Sequence, residues 1–157
     1  MQKIRTFLWF DGKAEEAANF YLGIFPDAKL GTVMRYGDAG PGPKGDVMLV
    51  NFALAGEEFI ALNGGPQFSF TPAVSLFVTC ETQAEVDHYW DRLGNGGKPI
   101  QCGWLTDRYG LTWQIVPSVL LAMLQDADAA RANRVMLAMM QMVKFDIAAL
   151  QQAYAAA

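Results

Sequence analysis

Few residues in this chain are of a type that could make or break a bond. His88 is the only histidine, so a Ser-His-Asp or Cys-His relay would have to run through it. It falls between Asp87 and Tyr89 in a helical stretch, the setting of a helix-surface residue. Cys80 and Cys102 are the only cysteines. Neither has a context that would activate a thiol, and two make neither a disulfide framework nor a metal knuckle. The glycines of residues 37–46 suggest a phosphate cradle. Their spacing fits neither a dinucleotide fingerprint nor a P-loop, and Pro41 and Pro43 remove amide donors. An exposed hairpin loop is the expectation, and a doubly wound methyltransferase using S-adenosylmethionine is not indicated. Trp104 and Trp113 flank the turn Asp107-Arg108-Tyr109-Gly110, ahead of Gln114-Ile115-Val116-Pro117. Such a pair could line an aromatic pocket for a small organic ligand, or could be core.

The elements that position these residues read as strand, helix and three strands, twice over. Residues 4–10 are aromatic and β-branched, and Asp11-Gly12 ends them with turn chemistry. Residues 14–25 place Ala17, Phe20, Tyr21, Ile24 and Phe25 at helical spacing, with Glu15 and Glu16 near the N-terminus, where the helix dipole favours them. Strands follow over 28–36, 47–54 and 58–63, the last two joined at Ala55-Gly56-Glu57. After a connector at 64–72 come a strand over 74–79, a helix over 82–93, and strands over 98–105 and 111–116. Thr82 and Glu85 have the spacing of a capping box. Thr6 and Ser75, Glu16 and Glu85, and the pairs Phe20-Tyr21 and Tyr89-Trp90 all stand 69 positions apart. An aromatic pair in register with the order of elements indicates an internal repeat. Residues 118–157 read as helical. Met136, Met139, Met140 and Val143 give them one methionine-rich face, suited to packing on the chain itself or on a sister subunit, and Asp146 caps a last helix over 147–154.

Composition narrows the class. The chain has 157 residues, 52% hydrophobic and 18% charged, with a net charge of -4. That is enough for one domain with its own core and too apolar for disorder. The apolar excess suggests a cavity or a buried subunit interface. No cluster of Lys or Arg offers an electrostatic footprint for nucleic acid or an anionic membrane. No apolar run approaches the roughly 18 residues of a bilayer span, and residues 6–10 are too short for the apolar segment of a signal peptide. A cytoplasmic protein in a reducing compartment is expected.

Leu8-Trp9-Phe10-Asp11-Gly12, Glu15-Glu16-Ala17, Phe20-Tyr21 and Phe25-Pro26 resemble the opening of the PhnB-like branch of the glyoxalase/bleomycin-resistance (vicinal oxygen chelate) superfamily. Ala61-Leu62-Asn63-Gly64-Gly65, the run from Cys102 to Gly110, and Trp113-Gln114-Ile115-Val116-Pro117 extend the likeness over nearly the whole chain, helical tail included. Members of that branch often carry the label 3-demethylubiquinone 3-methyltransferase. The resemblance implies an α+β fold of paired βαβββ modules forming an open barrel around a cavity. In this chain that is one domain over 1–157, made of module one (1–65), module two (72–117) and a tail (118–157). It also implies a homodimer.

The metalloenzymes of the superfamily place one His, Gln or Glu ligand on each of four strands. Those positions land near Thr6, Ala61 (or Asn63), Ser75 and Gln114, and none holds His, Asp or Glu. A metal is not expected there, since hydroxyls and an amide are poor ligands for transition metals, and no other cofactor is indicated. Strand alternation puts Thr6, Leu8 and Phe10 on one face, with Phe59, Ala61 and Asn63, Ser75 and Phe77, and Thr112, Gln114 and Val116 grouped likewise. The expected ligand-binding set is Thr6, Asn63, Ser75, Trp104, Trp113 and Gln114, with the Gln114 amide pointing into the barrel. No catalytic residue is assigned. The expected function is non-catalytic binding of a small organic molecule. The alternatives are a metal-independent enzyme acting on a small metabolite, and a partner-binding scaffold with a vestigial cavity.

Overall fold

The computed structural model of the protein describes residues 2–156, and the chain divides into two compact units, one up to Phe70 and one from Thr71 onward. The first consists of β1 (Thr6–Phe10), α1 (Ala14–Leu22), β2 (Lys29–Arg35), β3 (Val47–Leu54) and β4 (Glu57–Asn63). Its sheet is open, in the order β1-β4-β3-β2, with β1 parallel to β4 and the other pairs antiparallel. Ala55 and Gly56 join β3 to β4 at φ of 50 and 86, the left-handed pair that a two-residue hairpin demands. Ala14, Ala17, Ala18 and Tyr21 of α1 are buried. The small residues let the helix lie close to the sheet. The Tyr21 ring stacks on Phe52 at 6.2 Å, and Phe52 stacks on Phe59 at 5.3 Å.

The second unit repeats the order with β5 (Ser75–Cys80), α2 (Gln83–Gly94), β6 (Lys98–Pro99), β7 (Trp104–Thr106) and β8 (Thr112–Pro117). Its sheet runs β5-β8-β7-β6, again with its first strand parallel to its last. The expected cap is present, since Thr82 Oγ1 accepts from Glu85 N–H at 3.2 Å. The Glu85 carboxylate accepts in turn from Glu81 N–H at 2.7 Å, one residue before the cap. The single strand expected over 98–105 is broken. Residues 100–103 leave the sheet, with Cys102 and Gly103 at φ of 55 and 80.

The cause of that break is the tail, which comprises α3 (Ser118–Leu124), α4 (Ala129–Met140) and α5 (Ile147–Ala155). Cys102 N–H donates to Met142 O at 2.9 Å and Gly103 N–H to Val143 O at 2.8 Å. Val116, Leu120, Met123, Val135, Phe145 and Leu150 form one buried cluster beneath the three helices. Asp146 caps α5 by accepting from Ala149 N–H at 3.1 Å. The methionine face divides: Met139 packs against the cluster, whereas Met136 and Met140 remain 39% and 53% exposed. The molecule is thus α+β, two βαβββ modules with a helical tail packed on the second.

Candidate functional site

Which side chains line a site depends on which face of each sheet its helix covers. In module one the covered face carries Leu8, Phe10, Phe52, Phe59 and Ala61, all buried, with Tyr21 of α1 stacked on Phe52. In module two Leu105 lies beneath α2 at Gly94, and its partner across the ladder is Trp113. Trp113, Ile115 and Cys80 share that buried face. The two modules differ in one detail. Three residues, 11–13, separate β1 from α1, and two, 81–82, separate β5 from α2. The helices therefore align at a spacing of 69 residues, but the strands align at 70, matching Leu8 to Val78 and Phe10 to Cys80. A slip of one residue exchanges the faces of a strand. Thr6 consequently lies on the helix-covered face of its sheet and Ser75 on the uncovered face of its own. The β1-side position equivalent to Ser75 belongs to Arg5, which pairs with Glu58 at 3.9 Å.

The face of module two opposite α2 holds an ordered set of polar groups. At one level Ser75, Thr112 and Thr106 stand side by side across β5, β8 and β7. At the next level Gln114 is flanked by Phe77 and Trp104. The Gln114 amide donates to Ser75 Oγ at 2.9 Å. Among the described residues its carbonyl oxygen and second N–H make no hydrogen bond, and the Ser75 hydroxyl proton has no acceptor. The Thr112 hydroxyl is buried and has no hydrogen-bond partner among the described residues. An orphaned buried hydroxyl costs about 1–3 kcal/mol, and with Thr112 at 0% exposure that cost is borne by the fold beneath the face. Phe77 is 47% exposed, an apolar wall beside the amide. This set can orient a carbonyl or hydroxyl between aromatic surfaces. It contains no imidazole, thiolate or carboxylate, so its donors do not suit a transition metal. No group of three His, Cys, Asp or Glu suited to a metal occurs among the described residues.

Three of the six expected ligand-binding residues, Ser75, Trp104 and Gln114, therefore share one face. The other three lie on helix-covered faces, where sequence alternation alone did not put them. Trp113 is 2% exposed, and its indole N–H donates to Asp107 Oδ2 at 2.9 Å. Asp107 also accepts from Tyr109 and Leu111 N–H, fixing the turn before β8. Asn63 acts as a strut: its Oδ1 accepts from Ala14 N–H at 2.8 Å and its amide donates to Val47 O at 3.0 Å. That bond satisfies one of the orphan donors at the start of α1. Thr112, which belongs with Gln114, had no feature in the sequence beyond alternation to single it out.

Elsewhere the chemistry is muted. His88 is exposed on α2, edge-on to Tyr89 at 5.0 Å. Burial, with Glu85 and Glu81 nearby, pushes the Cys80 thiol up to about 12, so it is protonated at neutral pH and a poor nucleophile.

The chain matches the family model described as 3-demethylubiquinone-9 3-methyltransferase over residues 2–116. A PhnB protein from Bacillus cereus, carrying that same description, is 41% identical, with a TM-score of 0.69 over 74% of this chain and 100% of its own. A protein from Pseudomonas aeruginosa shares the fold at 22% identity and a TM-score of 0.61, over 74% of this chain and 96% of its own. A glyoxylase/bleomycin resistance protein/dioxygenase domain from Frankia sp. EAN1pec aligns at 15% identity and a TM-score of 0.45, covering 72% and 89% of the two chains. No functionally curated protein matches the chain in sequence. The family model matches up to residue 116, the penultimate residue of β8, and the helical tail follows it.

Proposed function

The chain belongs to the 3-demethylubiquinone-9 3-methyltransferase family, and on that premise we propose that it is a PhnB-like member of the glyoxalase/bleomycin-resistance superfamily and binds a small organic molecule on the face of module two opposite α2. The observation that carries this reading is Gln114, set between Phe77 and Trp104 with its amide held by Ser75. The ligand class that fits is a neutral molecule presenting a carbonyl or hydroxyl beside an apolar, preferably planar, body. An amide cannot act as a general base near neutral pH, which favours binding over acid-base chemistry. The methyl transfer in the family description finds no cradle in the one Gly-rich segment. Gly40 and Gly42 lie against the Tyr36 ring, where a Cβ would come within 2.6 and 2.4 Å of it, and Pro41 and Pro43 lack N–H donors. The working unit in this reading is one cytoplasmic domain, paired with a second copy through the exposed apolar residues of α4, of which Leu137 is 65% exposed.

Mass spectrometry under native conditions, on protein purified without denaturation, reads ligand and subunit number together. A small-molecule adduct on a dimer is expected. Gln114→Ala should weaken retention of that adduct by about 1–3 kcal/mol, roughly five- to a hundred-and-fifty-fold. A bare 17.2 kDa monomer would remove both readings. A Gln114→Ala protein that melts several degrees lower yet keeps the adduct would make the residue a strut instead.

A further inference from the structure

Asn63-Gly64 and Asn95-Gly96 each place glycine directly after asparagine, whereas the remaining asparagines precede Phe20, Phe52 and Arg134. An asparagine before glycine can react with its own backbone, because no Cβ on the next residue keeps the following nitrogen away from the side-chain carbonyl. The fold treats the two very differently. The Asn63 amide is bonded at both ends, to Ala14 N–H and Val47 O, and Gly64 N–H donates to Phe10 O at 2.9 Å. Nucleophile and target are both engaged. Asn95 follows the last turn of α2 and is exposed. Among the described residues its side chain makes no hydrogen bond, and neither does Gly96 N–H. Gly96 has φ of 81, in a turn closed by Gly97 N–H donating to Gly94 O at 2.9 Å. Arg108 Nε donates to Asn95 O at 3.1 Å, an exposed bond that water can replace.

From this contrast we infer that Asn95 is a site of spontaneous deamidation in the folded chain, and that Asn63 is shielded from the same reaction. Gly96 N, giving up its proton to solvent base, attacks Asn95 Cγ. The new C–N bond closes a succinimide ring, and the side-chain nitrogen takes up a proton and departs as ammonia. Water then opens the ring at one of its two carbonyls. Cleavage of the bond to Cγ leaves aspartate, and cleavage of the bond to the main-chain carbonyl leaves isoaspartate, whose backbone runs through the former side chain. One water is consumed, one ammonia is released, and nothing is oxidised or reduced. Ring closure requires the peptide after the asparagine to rotate about the Cα–C bond. An exposed turn permits that rotation, whereas at Asn63 the end of β4 must open first. Either product adds a negative charge just past the C-terminal end of α2, where the helix dipole disfavours it.

Incubation of the folded full chain at mildly alkaline pH in heavy-oxygen water, followed by digestion in ordinary water and peptide mass spectrometry, tests the assignment. The heavy label separates conversion in the folded chain from conversion during digestion. The peptide holding Asn95 should pass from amide to labelled acid, as a mixture of aspartate and isoaspartate that chromatography resolves. The peptide holding Asn63 should convert slower by about tenfold or more, since local opening must precede its reaction. In urea, where neither asparagine is held, both should convert. Asn95→Gln removes no hydrogen bond of the side chain and would have to close a larger, slower ring. Its aged form should lack the acidic species that anion exchange resolves in the aged parent. Four results would each overturn the proposal: an Asn95 that stays amide while both asparagines convert in urea, an Asn63 that converts as fast as Asn95 in the folded chain, aspartate without isoaspartate, or an acidic species undiminished in Asn95→Gln.

Discussion

Asn63 joins the N-terminus of α1 to β3 through both ends of one amide. Asn63→Ala should therefore cost about 1–3 kcal/mol in stability, because the Ala14 N–H and Val47 carbonyl lose their partner. Thermal melting measures this, and an unchanged midpoint would show that water replaces the strut. In the sequence Asn63 is indistinguishable in kind from Gln114, the amide on the uncovered face of module two. Each sits in an alternating strand, and alternation sorts residues into two faces without saying which face the helix takes. Trp113 carried the same ambiguity. Its resolution lies in Asp107, whose carboxylate gathers two turn amides and the indole, an arrangement that the run Asp107-Arg108-Tyr109-Gly110 implies only once its partners are seen in space.

Elements bounded by turn and capping chemistry were legible. The Thr82 cap, the Asp146 cap and the Ala55-Gly56 turn all stand where local residue types put them. The break between β6 and β7 was not, because its cause lies some forty residues later in the tail. Gly103 makes the dependence testable. A Cβ at its φ of 80 would lie 2.4 Å from the Phe145 ring and 2.8 Å from Ile115 O. Neither the backbone conformation nor the neighbours accommodate it, so Gly103→Ala should destabilise module two by about 1–3 kcal/mol. Amide hydrogen exchange localises the effect. The Cys102 and Gly103 N–H groups, which donate to the tail, should lose protection first. Protection equal to that of the parent would mean the tail's hold does not depend on this crossing.

At the scale of the molecule the tail's polar ties respond to acid. Lys144, then Gln83, hydrogen-bond Asp87 and hold its carboxyl below the usual 3.8. Tyr154 Oη, then the Asp128 N–H, does the same for Asp126. A carboxyl depressed in the folded state stabilises above its unfolded value, and that contribution is lost as the pH falls through the folded one. Melting between pH 6 and pH 2.5 should therefore show a decline below about pH 4. Lys144→Gln should flatten part of that decline, and a profile superimposable on the parent's would dismiss the Asp87 tie. The repeat, finally, bears on how the halves could be interchanged. A chimera that replaces Thr6–Phe10 with the second module's strand, matched through the helices, would send Ser75, Phe77 and Thr79 beneath α1 and turn Val78 outward. The graft keeps its polarity only if it is displaced by the extra residue before α1, so the two halves are interchangeable as strands and as helices, but not as the joined pair.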